Sequence, residues 1–299
     1  MEKTSDSAHI TSKTMLPAAI NAWEMFLHDQ GRSPNTVKAF LSDVRLLNQF
    51  AAPDQTIGAI TTDDINRFFT WMEKERGVAC SPKTLSRRIT SIKSFFRWLH
   101  QHGTLTIDPA EKVLQRSAIS PLPQVLTEEE YEAVLLAADR HRREKKSDAR
   151  PYTLVYLLLM TAIKKSECLG LHINHIDLDS KNGAHLYVRY ASPANRYKER
   201  KIELEDDWVM AYKEYCAQYG PVDQVFAWSP RRLEYLLEDI SEEAGLAKHL
   251  SFDMCRWTCA LRDYQSGIES DKIRQKLGVS KIQWRELFIK LRQLNGEIK

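Results

Sequence analysis

At 299 residues the chain is long for one small core and suits two domains of ordinary size. Hydrophobic residues at 43% and charged residues at 28% are ordinary for a globular protein, and no apolar run approaches the roughly 20 residues that a membrane span needs. The net charge of +3 says little by its total, but no acidic residue lies between Glu75 and Asp108, where Arg76, Lys83, Arg87, Arg88, Lys93 and Arg97 all fall.

The opening "MEKTSDSAHITSK" is polar and has no apolar segment of the secretory kind, so a cytoplasmic location is expected. Five cysteines, an odd number without paired metal-ligand spacing, fit reduced thiols there. Cys255 and Cys259 have no histidine nearby and read as small buried apolar residues rather than zinc ligands. No metal or other cofactor is expected.

"SPNTVKAFLSDVRLLNQFA" predicts a helix capped by Ser33 with Pro34 in its first turn, and Val37, Phe40, Leu41, Val44 and Leu47 on one face. "TTDDINRFFTWMEKERG" repeats the pattern, with a Thr/Asp start, an Ile65, Phe68, Phe69, Met72 stripe and Gly77 as the stop. In "SPKTLSRRITSIKSFFRWLHQHG", Leu85, Ile89, Ile92, Phe96 and Leu99 define a buried face. Lys83, Arg87, Thr90, Ser94 and Arg97 define the opposite one. A solvated helix face normally mixes charge signs for pairing at i,i+4. This face is cationic and hydroxyl-bearing throughout, which favours the groove and backbone of nucleic acid over simple solvation.

"SAISPLPQVLTEEE" holds two prolines and no helical period, and places a linker at residues 117–125. A capping pattern in "LTEEEYEAVLLAA" opens the second half, where the apolar stretch Leu154 to Met160 reads as a buried helix. "HLYVRY" and "KERKIEL" alternate and predict two strands around "ASPANRY". "RRLEYLLEDISEEAG" and "DMCRWTCALRDYQSG" return to helix.

Four stretches, in order, resemble the tyrosine recombinase (phage integrase) family: the three basic helices with "DPAEKV" as their exit, "TAIKKSECLGLHINHID", "NRYKERKIEL", and "SFDMCRWTCALRDYQSGIESDKIRQKLGVSKIQWRELF". The resemblance runs from about residue 18 to residue 290. It implies a mainly α chain with a helical core-binding domain at 15–116. A mostly helical, mixed α/β catalytic-type domain with a small sheet would follow at 126–299. It also implies duplex DNA as partner, clamped between the domains, and assembly on DNA with further copies or with an active recombinase.

In that family a tyrosine attacks a DNA phosphodiester, two arginines hold its oxygens, a hairpin lysine protonates the leaving hydroxyl and two histidine-class residues assist. Carried over by position, the first arginine falls on Lys164, which keeps a charge but lacks the planar fork. The hairpin lysine falls near Asn195, with Arg196 beside it, and the two histidines fall on Asp253 and Val279. Arg256 retains the second arginine, and the nucleophile falls on Phe288. Nothing after Ser280 carries a hydroxyl or thiol, and Tyr264 is the last tyrosine.

The leading expectation is therefore a catalytically silent DNA binder, acting in or regulating recombination at the nucleoid. Lys83, Arg87, Thr90, Ser94 and Arg97 would serve one domain, and Lys164, Arg196, Lys198, Arg200 and Arg256 would form a phosphate-holding remnant in the other. Two readings stay open beside it. One is an active recombinase with a relocated nucleophile or a Tyr→Phe exchange at 288, and the other is a protein adaptor with an idle DNA face. For Phe288 itself, an apolar stripe of Trp284, Leu287, Phe288, Leu291 and Leu294 predicts packing against the body or a neighbouring subunit.

Overall fold

The computed structural model describes residues 10–116, 121–181 and 183–298. Residues 117–120 of the expected linker, and most of the polar opening stretch, lie outside the described residues. The chain divides into two compact units, Met1–Pro121 and Leu122–Lys299.

The first unit is helical: α1 (Leu16–Asp29), α2 (Pro34–Phe50), α3 (Thr62–Lys74) and α4 (Pro82–Gln101). Three starts follow the sequence signals. Ser33 and Ser81 accept the N–H of Thr36 and Thr84, each at 3.2 Å, and Thr61 forms a reciprocal capping box with Asp64. α1 has no such signal, because Met15 at its cap position makes no side-chain bond, and it extends the expected three helices to four. Its Leu16, Ile20, Trp23 and Leu27 are buried, and Trp23 meets Phe95 of α4 edge-on at 5.2 Å. Phe68, Met72, Ile89, Ile92 and Phe96 complete this core.

Asp43 is a polar group inside this otherwise apolar packing, 1% exposed. It accepts the Ser91 hydroxyl at 2.7 Å and a bond from Arg87, and Arg88 Nε stands 3.6 Å from it. Burial raises its pKa against the opposing pull of Ser91 and the two arginines. The cationic face of α4 thus has no carboxylate of its own, but α2 supplies one to Arg87.

The second unit is mostly helical, with α5 (Glu128–Arg143), α6 (Arg150–Thr161), α7 (Lys165–Leu169), then β1 (Ile176–Asp177), β2 (His185–Val188) and β3 (Arg200–Glu203). There follow α8 (Asp206–Tyr219), α9 (Pro230–Glu243), α10 (Phe252–Gln265), α11 (Ser270–Lys276) and α12 (Lys281–Leu294). The strands form an antiparallel sheet in the order β1-β2-β3, with Leu186 opposite both Ile176 and Ile202. β2 and β3 fall on the two expected strand segments. β1 is only two residues long, too short for any alternation to show.

Every residue of α6 from Thr153 to Thr161 is buried, so the helix is apolar on all sides and α5, α8 and α10 pack around it. Cys255 and Cys259 of α10 are buried free thiols within this packing. Among the described residues no helix is long and apolar enough to cross a membrane.

Candidate functional site

α6 ends at Ala162 with φ +53, a left-handed conformation that costs a non-glycine residue roughly 1–2 kcal/mol. The turn buries Ile163 and leaves Lys164 half-buried at the start of α7. The backbone N–H of Lys164 donates to Glu167 Oε2 at 2.8 Å, and its ammonium stands 4.0 Å from Glu167 Oε1.

Glu167 is the anionic centre of the site. Arg200 grips it with two bonds, Nη2 to Oε2 at 2.8 Å and Nη1 to Oε1 at 3.1 Å, and the Tyr190 hydroxyl donates to the same carboxylate. Burial alone would raise the Glu167 pKa, but the Arg200 bonds and charge, then Tyr190 and the Lys164 N–H, bring it down to about 2. Burial and the adjoining carboxylate push the Tyr190 phenol up, so it stays protonated as a donor.

Arg200 departs from the expected phosphate-facing role. Its side chain is 6% exposed, Nε donates to Lys276 O at 2.6 Å, and Nη1 also donates to Lys198 O at 3.1 Å. Gly278 (φ +58) allows this approach, since a Cβ there would stand 2.6 Å from Arg200 Nη1. Arg200 is a buried strut that ties β3 to α7 and to the turn before α12.

Arg256 projects from α10 and donates to the carbonyls of Ala162 and Leu277, joining the end of α6 to the end of α11. Burial lowers its pKa to about 10, with Glu167 opposing and Arg200 adding to the shift, so it remains cationic at neutral pH. The Lys164 ammonium is lowered in the same way, first by burial, then, against Glu167, by repulsion from Arg256, Lys198 and Arg200. Four cations therefore meet the fully engaged Glu167, with Asp253 also acting on Arg256, an excess of positive charge suited to an anion such as a phosphate.

Lys198 donates to Asn195 Oδ1 at 2.7 Å and lies over the rings of Tyr190 and Tyr197 at 5.7 and 5.2 Å. It belongs to the short 3₁₀ turn Pro193–Lys198 between β2 and β3. Lys198, rather than Arg196, is the cation of this turn whose field reaches Lys164. Arg196 is exposed and lines a neighbouring groove.

The remaining expected positions are Asp253, Val279 and Phe288. Asp253 is exposed in the first turn of α10, and Val279 is buried. Phe288 is half-buried, its ring centroid 5.3 Å from Trp284 and 5.8 Å from Tyr264, edge-on to the latter. With Leu287 and Leu294 it packs on a core of Trp257, Leu261, Ile273 and Leu291, so the body of the unit itself receives the ring. The Tyr264 hydroxyl donates to Glu297 at 3.0 Å, which raises its pKa and makes it a weaker nucleophile.

On α4 in the first unit, Lys83, Arg87, Thr90 and Arg97 are exposed and Ser94 is half-exposed. Gln115 donates to Thr90 Oγ1 at 3.4 Å and to Ser86 O at 3.1 Å. Lys83 and Arg97 form no ion pair among the described residues.

Sequence reasoning gave no role to Glu167, Tyr190 or Asp43. Glu167 sits three residues after Lys164, the spacing at which an acid reaches back to a helix-start N–H, so that signal was present in "KKSE". The partners of Tyr190 and Asp43 are distant in sequence and leave no local pattern.

The pattern described as "Phage integrase, N-terminal SAM-like domain" matches residues 20–103, and that described as "Phage integrase family" matches residues 124–290. Tyrosine recombinase XerC of Xylella fastidiosa (strain M23) is 24% identical over 276 residues, 89% of this chain and 90% of that protein. XerC of Mycobacterium bovis (strain BCG / Pasteur 1173P2) is 29% identical over 186 residues, 61% of this chain and 60% of that protein. The fold is similar to that of XerH site-specific recombinase bound to palindromic difH substrate, with a TM-score of 0.72 at 16% identity, covering 93% of this chain and 80% of that one. It is also similar to a lambda integrase tetramer bound to a Holliday junction, at 0.71 and 16%, covering 92% and 77%.

Proposed function

Because this chain belongs to the phage integrase family of tyrosine recombinases, we propose that it binds duplex DNA on a recombinase scaffold without cutting it. Phe288 carries this reading. It occupies the position of the family's nucleophile, has no oxygen to attack a phosphorus, and its ring is packed between Trp284 and Tyr264.

Lys164 and Arg256 keep positive charge where a phosphate would rest, so the remnant holds a phosphodiester without activating it. Residues 15–116 act as a core-binding domain through Lys83 and Arg97, with Thr90 and Ser94 between them and Arg87 anchored by Asp43. Residues 117–125 are the linker, and 126–299 form the catalytic-like domain. The DNA-bound dimers and tetramers among similar structures support assembly on DNA, with further copies or beside an active recombinase, in the cytoplasm at the nucleoid. No cofactor takes part.

The test is incubation of the chain with labelled duplex, read on a native gel across a salt series and on a denaturing gel. The expected result is a shifted complex whose log affinity falls by about 0.9 per neutralised phosphate for each decade of salt, with no adduct that survives denaturant. A denaturant-stable adduct would refute the reading.

A further inference from the structure

Beside the site of Lys164 and Arg256, a groove of about 840 Å³ opens between α7, the turn Ile173–His175, the end of β2 and the Pro193–Lys198 turn. His172, His175, Arg189 and Arg196 line it, with Ser166 of α7 and Tyr190. Two carboxylates also reach it; Glu167 is charge-paired, and Glu199 is hydrogen-bonded without a cation partner among the described residues. Glu167 is held by Arg200 and Tyr190, and Glu199 accepts the Tyr190 N–H at 2.9 Å.

The cations, by contrast, are left over. Among the described residues no carboxylate pairs with Arg189 or Arg196, and Arg189 lies across the Tyr187 ring at 5.4 Å. The two imidazoles meet edge to face at 5.2 Å. His172 Nδ1 is 2.8 Å from Asp223, and His175 Nδ1 accepts the His172 N–H at 3.3 Å, which puts the neutral His175 proton on Nε2 as a free donor. Among the described residues Arg189, Arg196 and His175 Nε2 are donors without hydrogen-bond acceptors on an open surface, while His172 is held by Asp223.

We infer that this groove is a second phosphodiester subsite, which seats a stretch of DNA backbone outside the cleft of Lys164 and Arg256; the assignment rests on the DNA-binding reading above. Tyr190 and Glu167 border both places, so a single backbone runs from one to the other past the exposed Glu199. The electrostatics agree with the geometry. Burial, then His172 and Arg189, lower the His175 pKa, and a phosphate between these groups reverses the repulsive part of that shift. Facing His175 are His172 of its own turn, Arg189 beyond β2, Asp223 in the segment before Val225, and Glu167 and Glu199. DNA binding accordingly takes up a proton at His175.

The test compares duplex binding by the full chain and by an Arg189→Gln, His175→Gln double variant, over a salt series at about pH 8 and about pH 6. At the higher pH the variant should lose about 0.9 from the slope of log affinity against log salt, the share of Arg189. At the lower pH the loss should be larger, between about 0.9 and about 1.8, because the protonated fraction of His175 then counts as well. A structural defect would lower affinity equally at both pH values, and unchanged melting excludes it separately. If the unaltered chain binds and the double variant keeps its slope at both pH values, the subsite is refuted while the DNA-binding reading stands. If the unaltered chain fails to bind duplex at all, both fall. Calorimetric titration with inorganic phosphate is the remaining arm: phosphate binding that depends on Arg189, with duplex affinity unaltered, makes the groove a small-anion site and overturns the DNA assignment.

Discussion

Glu167→Ala is expected to destabilise the second unit by about 3–5 kcal/mol, because it strands the buried Arg200 guanidinium without a counter-charge. In a unit of this size that lowers the melting temperature by roughly 10 °C. The Lys164 N–H and the Tyr190 hydroxyl lose their acceptor in the same step. Adding Arg200→Met should recover a large part of the loss, since an apolar pair of similar volume removes the unpaired charge. If the single variant melts like the parent, Glu167 is not the centre of the site.

The same carboxylate gives a pH signature. Its folded pKa of about 2 lies below the ordinary value of 4.5, so its contribution is fully present above the unfolded value. Stability should therefore be lost as the pH falls from about 4.5 towards about 2, and Glu167→Gln should flatten that part of the acid melting profile.

Lys83→Glu combined with Arg97→Glu should weaken duplex binding by at least roughly 60-fold at about 0.1 M salt and reduce the salt slope by about 1.8, taking one phosphate per side chain. Both residues are exposed and free of ion pairs among the described residues, so folding should be unaffected. Arg87 is a poorer probe, because its exchange would also disturb the buried Asp43. Duplex affinity that survives the double reversal would remove α4 from the DNA interface and favour an adaptor with an idle basic face.

Local signals carried much of the fold. Ser33, Thr61, Ser81 and Thr127 announce helix starts through side chains that act within three residues, and the stripes at Ile65–Met72 and Leu85–Leu99 repeat at the helical period. α1 starts without a capping side chain, although Pro17 in its first turn and the Leu16, Ile20, Trp23, Leu27 stripe are legible signals, and β1 is too short to alternate. The site divides along the same line. Phe288, Val279 and Asp253 can be placed by the family resemblance, and the proposed want of a nucleophile rests on residue type alone. Arg200 illustrates the opposite case: a strand arginine in a basic turn reads as a phosphate ligand, and only the folded chain brings Glu167 and the Lys276 carbonyl to it. Asp43 likewise reads as an ordinary exposed acid of α2 until α4 closes over it.

A single substitution tests the proposal that several positions of the family's catalytic machinery are lost together. The Phe288→Tyr chain, incubated with a nicked duplex that traps cleavage and run on a denaturing gel, is predicted to give no covalent protein–DNA adduct, since Lys164, Asp253 and Val279 would still stand where the family has an arginine and two histidine-class residues. Adduct formation by Phe288→Tyr alone would instead identify a competent recombinase that wants only its hydroxyl.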